Sequence, residues 1–427
     1  MRFSSLHRLV VRTSGFHPDN GGSIPPGDVA VLLGGRFFLF LDTVAENTTI
    51  RYTLFPERLY LRASNFYGEA PMNTVVLHAT DLDGYLTKSD QTSIAQAHVL
   101  YDEAMNLFSN IRTLNAESMP KARAELTPVF ERVGRYLKGI VADEPGIHVY
   151  SFETPQIQHG SASRLIAKLR NPDTSQSEFL YYVQRAYELL FAHVYADKAL
   201  PKKRSIVTKT PVTFPVQNYA IHKIPDVDAL IENSVMCVML RGALLPSMII
   251  SKEIQEYSSN DFVTPFALFR IKRDDTKVEK NMDYLLDLGR SFFDLSQLDG
   301  KDLIFADPMN ATGGSLVTIV KYIESQGIKP KSIRFITVIS ALKGALRVVR
   351  AIEGAQVYTL WMDPVLNEKA YILPGLGDAG DRLNGKDEED NPRNMIQLMA
   401  DYGTTITDLY RDQVREIEAT VLGRNGI

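Results

Sequence analysis

The sequence predicts an α/β fold with an open parallel sheet, preceded by a smaller α+β domain. Two observations predict the sheet. Apolar runs near Cys237–Leu240, Phe266–Phe269, Leu303–Ala306, Ile333–Ile339 and Ala355–Leu360 alternate with helical stretches, which is the pattern of βαβ units. One run, Leu303–Ala306, ends in an acid, Asp307, then passes through a short loop to Thr312-Gly313-Gly314-Ser315 and an amphipathic helical pattern over Leu316–Ser325. A third observation sets the N-terminal part aside: there the strand-like runs come first and the helical ones after, without alternation.

In chain order, Asn20–Gly27 (NGGSIPPG) is a turn-rich break. Arg36–Asp42, Thr48–Phe55, Arg58–Ala63 and Thr74–Ala79 are rich in β-branched, aromatic and aliphatic residues and predict a small antiparallel sheet or sandwich. Asp81-Leu82-Asp83-Gly84 then reads as an Asp-Gly turn between strands. It resembles the first motif of haloacid-dehalogenase phosphatases. However, only about sixty-five residues follow before the next domain, and Tyr85 stands where that motif has Thr. From about Ser93 to Val141 apolar residues such as Ala97, Leu100, Ala104 and Leu107 recur every three or four positions, and Met119-Pro120 divides this stretch into two helices. Asp143-Glu144-Pro145-Gly146 reads as a linker, which places the domains at 1–145 and 146–427. In the second, Ser175-x-x-Glu178 is a capping box ahead of a long helix over Ser177–Tyr195. Pro201-Lys202-Lys203-Arg204 reads as a solvated basic turn. After Gly385 come an acidic polar loop, Lys386–Asn394, and a C-terminal helical extension over Met395–Val421.

Composition bounds the rest. At 427 residues the chain is too long for one typical domain and long enough for ample core. Hydrophobic content of 44% and charged content of 23% are those of an ordinary globular protein. A net charge of −4 gives no electrostatic case for nucleic acid as a partner. The single cysteine, Cys237, excludes an internal disulfide framework, sits in a strongly apolar run and fits a reducing, cytoplasmic location. No run of eighteen apolar residues exists, so no membrane span is expected, and the N-terminus lacks the apolar core of a secretory signal.

The Leu303–Ser315 block (LIFADPMNATGGS) carries the clearest chemistry. Glycines let backbone N–H groups approach a phosphate, Thr312 and Ser315 add hydroxyl donors, and a helix N-terminus follows. An acid at the strand end is placed to accept hydrogen bonds from ribose hydroxyls. A tight turn with a Thr or Ser cap would also fit the loop, but it explains neither Asp307 nor two adjacent glycines.

This block resembles the phosphoribosyl pyrophosphate (PRPP) loop of type I phosphoribosyltransferases, and its wording is closest to the uracil phosphoribosyltransferases. About sixty residues downstream, Tyr371–Gly385 (YILPGLGDAGDRLNG) is similar to that family's uracil-binding segment almost residue for residue. Val238–Ala243 resembles the family's strand and loop reading ILRAG. Arg273-Asp274-Asp275-Thr276 resembles its flexible loop, with Arg270 as an alternative alignment, and His159–Ser175 resembles its N-terminal segment. The resemblance covers roughly 150 to 385. The chain departs from the family at Asn310, where the family has Leu, at Gly242-Ala243-Leu244-Leu245-Pro246 after the arginine, and at Leu342-Lys343-Gly344, where the family tends to read Pro-Glu-Gly.

The resemblance implies transfer of phosphoribose from PRPP to uracil, giving UMP and pyrophosphate. It implies Arg241 and Arg273 on the pyrophosphate, since guanidinium forks match phosphate oxygens. Asp307 would hold the ribose hydroxyls, and Ala311, Thr312, Gly313, Gly314 and Ser315 the 5′-phosphate. Uracil would be read by backbone groups of Ile372 and Gly377 with Tyr371 packing nearby, and Asp378 would lie beside the base or a magnesium-bound water. Magnesium is expected mainly through PRPP rather than through protein ligands. A homodimer or higher homo-oligomer is expected, with no nucleic acid or membrane partner. Two alternatives stay open: a phosphoribosyltransferase for another base, and a catalytically weak protein that senses PRPP or UMP. Residues 1–145 resemble nothing in that family.

Overall fold

A computed structural model describes residues 29–33, 37–44, 47–52, 74–110, 119–156, 159–196, 202–211, 219–240 and 242–384. The expected strand Arg58–Ala63, the loop Lys386–Asn394 and the helix Met395–Val421 lie outside them. The chain divides into two compact units, 1–70 and 71–427. In the first, β1 (Val29–Leu33), β2 (Phe37–Val44) and β3 (Asn47–Tyr52) form an antiparallel meander in that order.

The second unit runs through β4 (Thr74–His78), α1 (Ala79–Asp83), α2 (Lys88–Asn110), α3 (Met119–Ala142), β5 (Ile147–Ser151), α4 (Gly160–Arg170) and α5 (Gln176–Phe191). A hairpin of β6 (Lys203–Lys209) and β7 (Tyr219–Pro225) follows, then α6 (Asp228–Ile231), β8 (Ser234–Leu240), α7 (Leu244–Tyr257), β9 (Phe266–Arg273) and β10 (Asp283–Phe292). Last come β11 (Asp302–Asn310), α8 (Gly314–Ser325), β12 (Ser332–Ala341), α9 (Leu342–Ala351), β13 (Gln356–Asp363), the short pair β14 (Val365–Leu366) and β15 (Ile372–Leu373), and α10 (Ala379–Asn384).

Eight strands form one open sheet in the order β4-β10-β9-β8-β11-β12-β13-β5. The six from β9 to β5 are parallel, and β10 is antiparallel to both of its neighbours. β8 is buried at every position and β11 at nearly every one, which is why these strands read as continuous apolar runs rather than as alternations. Cys237 lies in β8, fully buried, and burial pushes its thiol pKa up. The steps β8–α7–β9 and β11–α8–β12 leave the middle of the sheet in opposite directions, so right-handed crossovers put α7 and α8 on opposite faces. The predicted capping box forms at α5: Ser175 Oγ accepts from Glu178 N at 3.3 Å, and the Glu178 carboxylate accepts from Ser175 N at 2.9 Å.

Three expectations are corrected. The first is the boundary at 145. β4 is the edge strand of the main sheet, paired with β10 from His78↔Asp283 to Thr74↔Asp287, and Arg350 of α9 is held by Asp90 (2.9 and 3.0 Å) and Glu144 (2.8 Å). The strand-then-helix order of these residues hid their place, because their partners lie some two hundred positions away. Asp143–Gly146 is therefore a turn inside the unit rather than a domain linker. The second concerns Asp81–Gly84, which is not a turn between strands: Asp81 and Asp83 lie in α1, and Gly84 caps it. The basic run 202–204 likewise leads into β6 rather than forming a free turn.

Candidate active site

The sheet opens where it changes direction. β8 and β11 are paired only from Ser234↔Asp302 to Met236↔Ile304, while β11 stays paired with β12 as far as Asn310↔Ser340. A crevice at the carboxyl ends of strands, at such a switch point, is where open α/β sheets bind ligands. Here it is a cavity of about 380 Å³, room for a nucleotide-sized ligand.

Its floor is the loop after β11. The strand runs three residues beyond Asp307, so the turn begins at Ala311 rather than directly after the acid. The two glycines answer two separate constraints. Gly313 has φ +75°, a left-handed conformation, and a Cβ there would also lie 2.9 Å from the Gly344 carbonyl. Gly314 begins α8, and a Cβ there would meet the Tyr284 ring at 2.2–2.4 Å. Thr312 Oγ1 accepts weakly from Gly314 N at 3.4 Å, and Thr318 Oγ1 donates to the Gly314 carbonyl at 2.7 Å, which ties the first turn down. Ala311 to Ser315 all line the cavity.

Asp307 lies at one side of this floor, its carboxylate accepting from Met309 N at 3.0 Å. Burial pushes its pKa up to about 7; the Met309 N–H and Arg273 pull against that, and Asp378 adds to it. Arg273, at the end of β9, lines the cavity with its guanidinium 5.9 Å from the Tyr371 ring centroid and 3.5 Å from the Asp275 carboxylate. Arg270, the alternative alignment, lines the cavity too. Arg241 lies outside the described residues.

Tyr371, Ile372, Gly377 and Asp378 close the cavity opposite the loop. Two charged groups hold this segment. Asp363, buried at the end of β13, accepts from Gly375 N at 3.0 Å and pairs with Arg170 of α4. Arg382 donates to the Leu376 carbonyl at 2.8 Å and the Asn171 carbonyl at 3.0 Å. Asn310, only 2% exposed, lines the cavity between the two halves; its amide Nδ2 donates to Ser340 Oγ at 2.9 Å, while its Oδ1 is buried without a hydrogen bond. Sequence analysis assigned no role to Asp363, Arg170 and Tyr284, because each acts on the loops from a strand or helix outside them, nor to Arg382, which lies within the Tyr371–Gly385 block but whose carbonyl partners appear only in the fold. Among the described residues no cluster of three or more His, Cys, Asp or Glu side chains is arranged to hold a metal ion. Asp275, Asp307 and Asp378 do offer the hard oxygen donors that magnesium takes.

An open parallel sheet with this switch-point crevice and this Gly-rich turn defines a fold of the type I phosphoribosyltransferase class. Residues 269–385, which contain the loop, Arg273 and the whole opposite wall, match the family model for uracil phosphoribosyltransferase. The uracil phosphoribosyltransferase of Bacillus velezensis is 28% identical over 237 residues, spanning 56% of this chain and 98% of the relative. That of Campylobacter concisus is 48% identical over 80 residues, spanning 19% of this chain and 38% of the relative. Among solved structures, a protein from Aquifex aeolicus aligns at 21% identity over 54% of this chain and 97% of its own, with a TM-score of 0.39.

Proposed function

We propose that this protein transfers phosphoribose from PRPP to uracil, giving UMP and pyrophosphate. One observation carries the reading. Residues of two blocks sixty positions apart in sequence, Asp307–Ser315 from one and Tyr371, Ile372 and Gly377 from the other, line a single cavity at the carboxyl ends of β8, β9 and β11.

In this reading the 5′-phosphate rests on the backbone N–H groups and hydroxyls of Ala311–Ser315 at the start of α8. The Asp307 carboxylate accepts from the ribose 2′ and 3′ hydroxyls. Arg273, with Arg241, holds the pyrophosphate. As the bond from C1′ to the pyrophosphate oxygen breaks, that oxygen gains negative charge, and a guanidinium already in place needs no rearrangement to stabilise it. Uracil N1 forms the new bond to C1′ and loses its proton. Backbone groups of Ile372 and Gly377 match the alternating carbonyl and N–H edge of uracil, and they would face the amino group of cytosine with a donor. Positioning both substrates supplies most of the rate in such a site. Magnesium, brought by PRPP, would lie near Asp307 and Asp378 and neutralise phosphate charge. We propose a homodimer or larger homo-oligomer in the cytoplasm.

Asn310 favours a second reading, with another base in place of uracil, since it sets a polar side chain among the cavity-lining residues where the resembled family has Leu. The purified full-length chain, given PRPP and magnesium with a panel of nucleobases, separates the two by nucleotide formed and pyrophosphate released. UMP formed only with uracil supports the first reading. Turnover with a different base supports the second. PRPP binding without product from any base would overturn both and leave a sensor.

A further inference from the structure

Behind the Gly-rich loop lies a cluster of four charged side chains that no substrate would touch. Arg347 of α9 has the largest fully buried side chain among the described residues, at 0% exposure. Its Nε and Nη2 reach Asp83 Oδ1 at 3.1 and 2.6 Å, and its Nη1 is 2.9 Å from Glu279 Oε1. Nη1 also donates to the Thr312 carbonyl at 3.5 Å. Lys343 completes the set, 3.0 Å from Glu279 and 3.4 Å from Asp83. Two cations and two carboxylates thus balance.

Each link has a physical consequence. A guanidinium out of water is tolerable only when its charge is met, so the two hydrogen bonds to Asp83 and the ion pair with Glu279 confine Arg347 to one orientation. That orientation draws the Thr312 carbonyl towards α9. In a trans peptide the carbonyl and the following N–H point in opposite directions, so the Gly313 N–H is turned away from Arg347, and both residues line the cavity. Asp83 itself belongs to α1, nearly two hundred residues before the matched family segment, and Ala79 N ties that helix to the Met282 carbonyl at 2.8 Å. The cluster also accounts for a departure noted in the sequence. A glutamate at 343, as in the resembled Pro-Glu-Gly, would set a third carboxylate against Arg347; Lys343 instead supplies the charge that lets Asp83 join Glu279.

We propose that Asp83 is a positioning residue for the phosphate loop: acting through Arg347, it orients the Thr312–Gly313 peptide so that its N–H faces the ligand's phosphate. The proposal rests on the phosphoribosyl reading of the cavity. The test is calorimetric titration of the full chain with ribose 5-phosphate, alongside the KM for uracil and the thermal midpoint. Asp83→Ala, which removes the acceptor of both Arg347 bonds, is compared with Asp83→Ala/Lys343→Gln, which restores neutrality while leaving the Arg347–Glu279 pair. We expect ribose 5-phosphate to bind about tenfold more weakly in both variants, the scale of losing an outer-shell support, with the KM for uracil unchanged. The double variant should regain thermal stability but not affinity. If it regains both, or if affinity never falls, Asp83 only balances charge and the proposal fails. If the parent binds neither ribose 5-phosphate nor PRPP, the reading of the cavity fails first and the proposal with it.

Discussion

Asp307 is poised between two protonation states at neutral pH, because burial raises its pKa to about 7 against the opposing pull of the Met309 N–H and Arg273. Accepting hydrogen bonds from two ribose hydroxyls requires the carboxylate. The kcat/KM for PRPP should therefore rise as pH climbs through about 7, and Asp307→Asn should abolish turnover, by about 10²–10³ or more, without unfolding the chain. Near-normal UMP synthesis by that variant would refute the assignment. The same shift has a cost in stability. Between the carboxyl's unfolded value near 4 and its folded value near 7 the native state holds more protons than the unfolded state, so stability falls as pH rises through that window. Asp307→Asn should thus be more stable than the parent at pH 8, by on the order of 1 kcal/mol, and show little gain at pH 4. Urea denaturation at the two pH values reads the difference. At Asn310 the buried carboxamide oxygen without a partner predicts that Asn310→Leu stabilises the fold by about 1 kcal/mol, measured in the same way.

At the scale of elements, the loop between β11 and α8 works only because β10 and α9 leave room for it. Tyr284 of β10 fills the space where a Gly314 side chain would be. Gly314→Ala must push the loop off this ring, and overpacking of this kind costs about 1–3 kcal/mol. Affinity for PRPP should fall with stability, while Tyr284→Ala/Gly314→Ala should recover part of the affinity. A Gly314→Ala variant that binds PRPP as tightly as the parent would show that the loop has slack the structure does not suggest. The segment carrying Tyr371 and Gly377 depends on Asp363 and Arg382 in the same way, as charges that fix the Gly375 N–H and the Leu376 carbonyl beside the cavity.

For the whole molecule, the decisive fact is that residues 74–144 are part of the sheet-bearing unit. A chain beginning at residue 71 retains β4, α1, α2 and α3 and should fold and bind PRPP. A chain beginning at 146 loses the edge strand that covers β10, and it strips Asp83 from Arg347 and both Asp90 and Glu144 from Arg350. Bare strand edges and uncompensated buried charge predict aggregation of that shorter chain. Size-exclusion chromatography and circular dichroism of the two truncations check this; a soluble, folded 146–427 would contradict it.

By itself the sequence determined the parallel sheet and the two blocks whose residues line the cavity. Buried central strands announce themselves as apolar runs, and the turn into α8 needs Gly313 and Gly314 in consecutive positions, so both features are local and legible along the chain. The capping box at Ser175 and Glu178 was readable for the same reason. Only the tertiary structure decided which residues hold those local features in place. Asp83, Glu279 and Arg347 are dispersed over more than 260 positions and meet behind one loop, and Thr74–His78 looked like part of another domain until β10 paired with it. Pairing across a sheet and charge balance in a buried cluster depend on neighbours in space, and no spacing along the chain records them. Asn310 shows both sides: its oddness was visible in the sequence, but its bond to Ser340 and its unpartnered oxygen appear only once β11 lies beside β12.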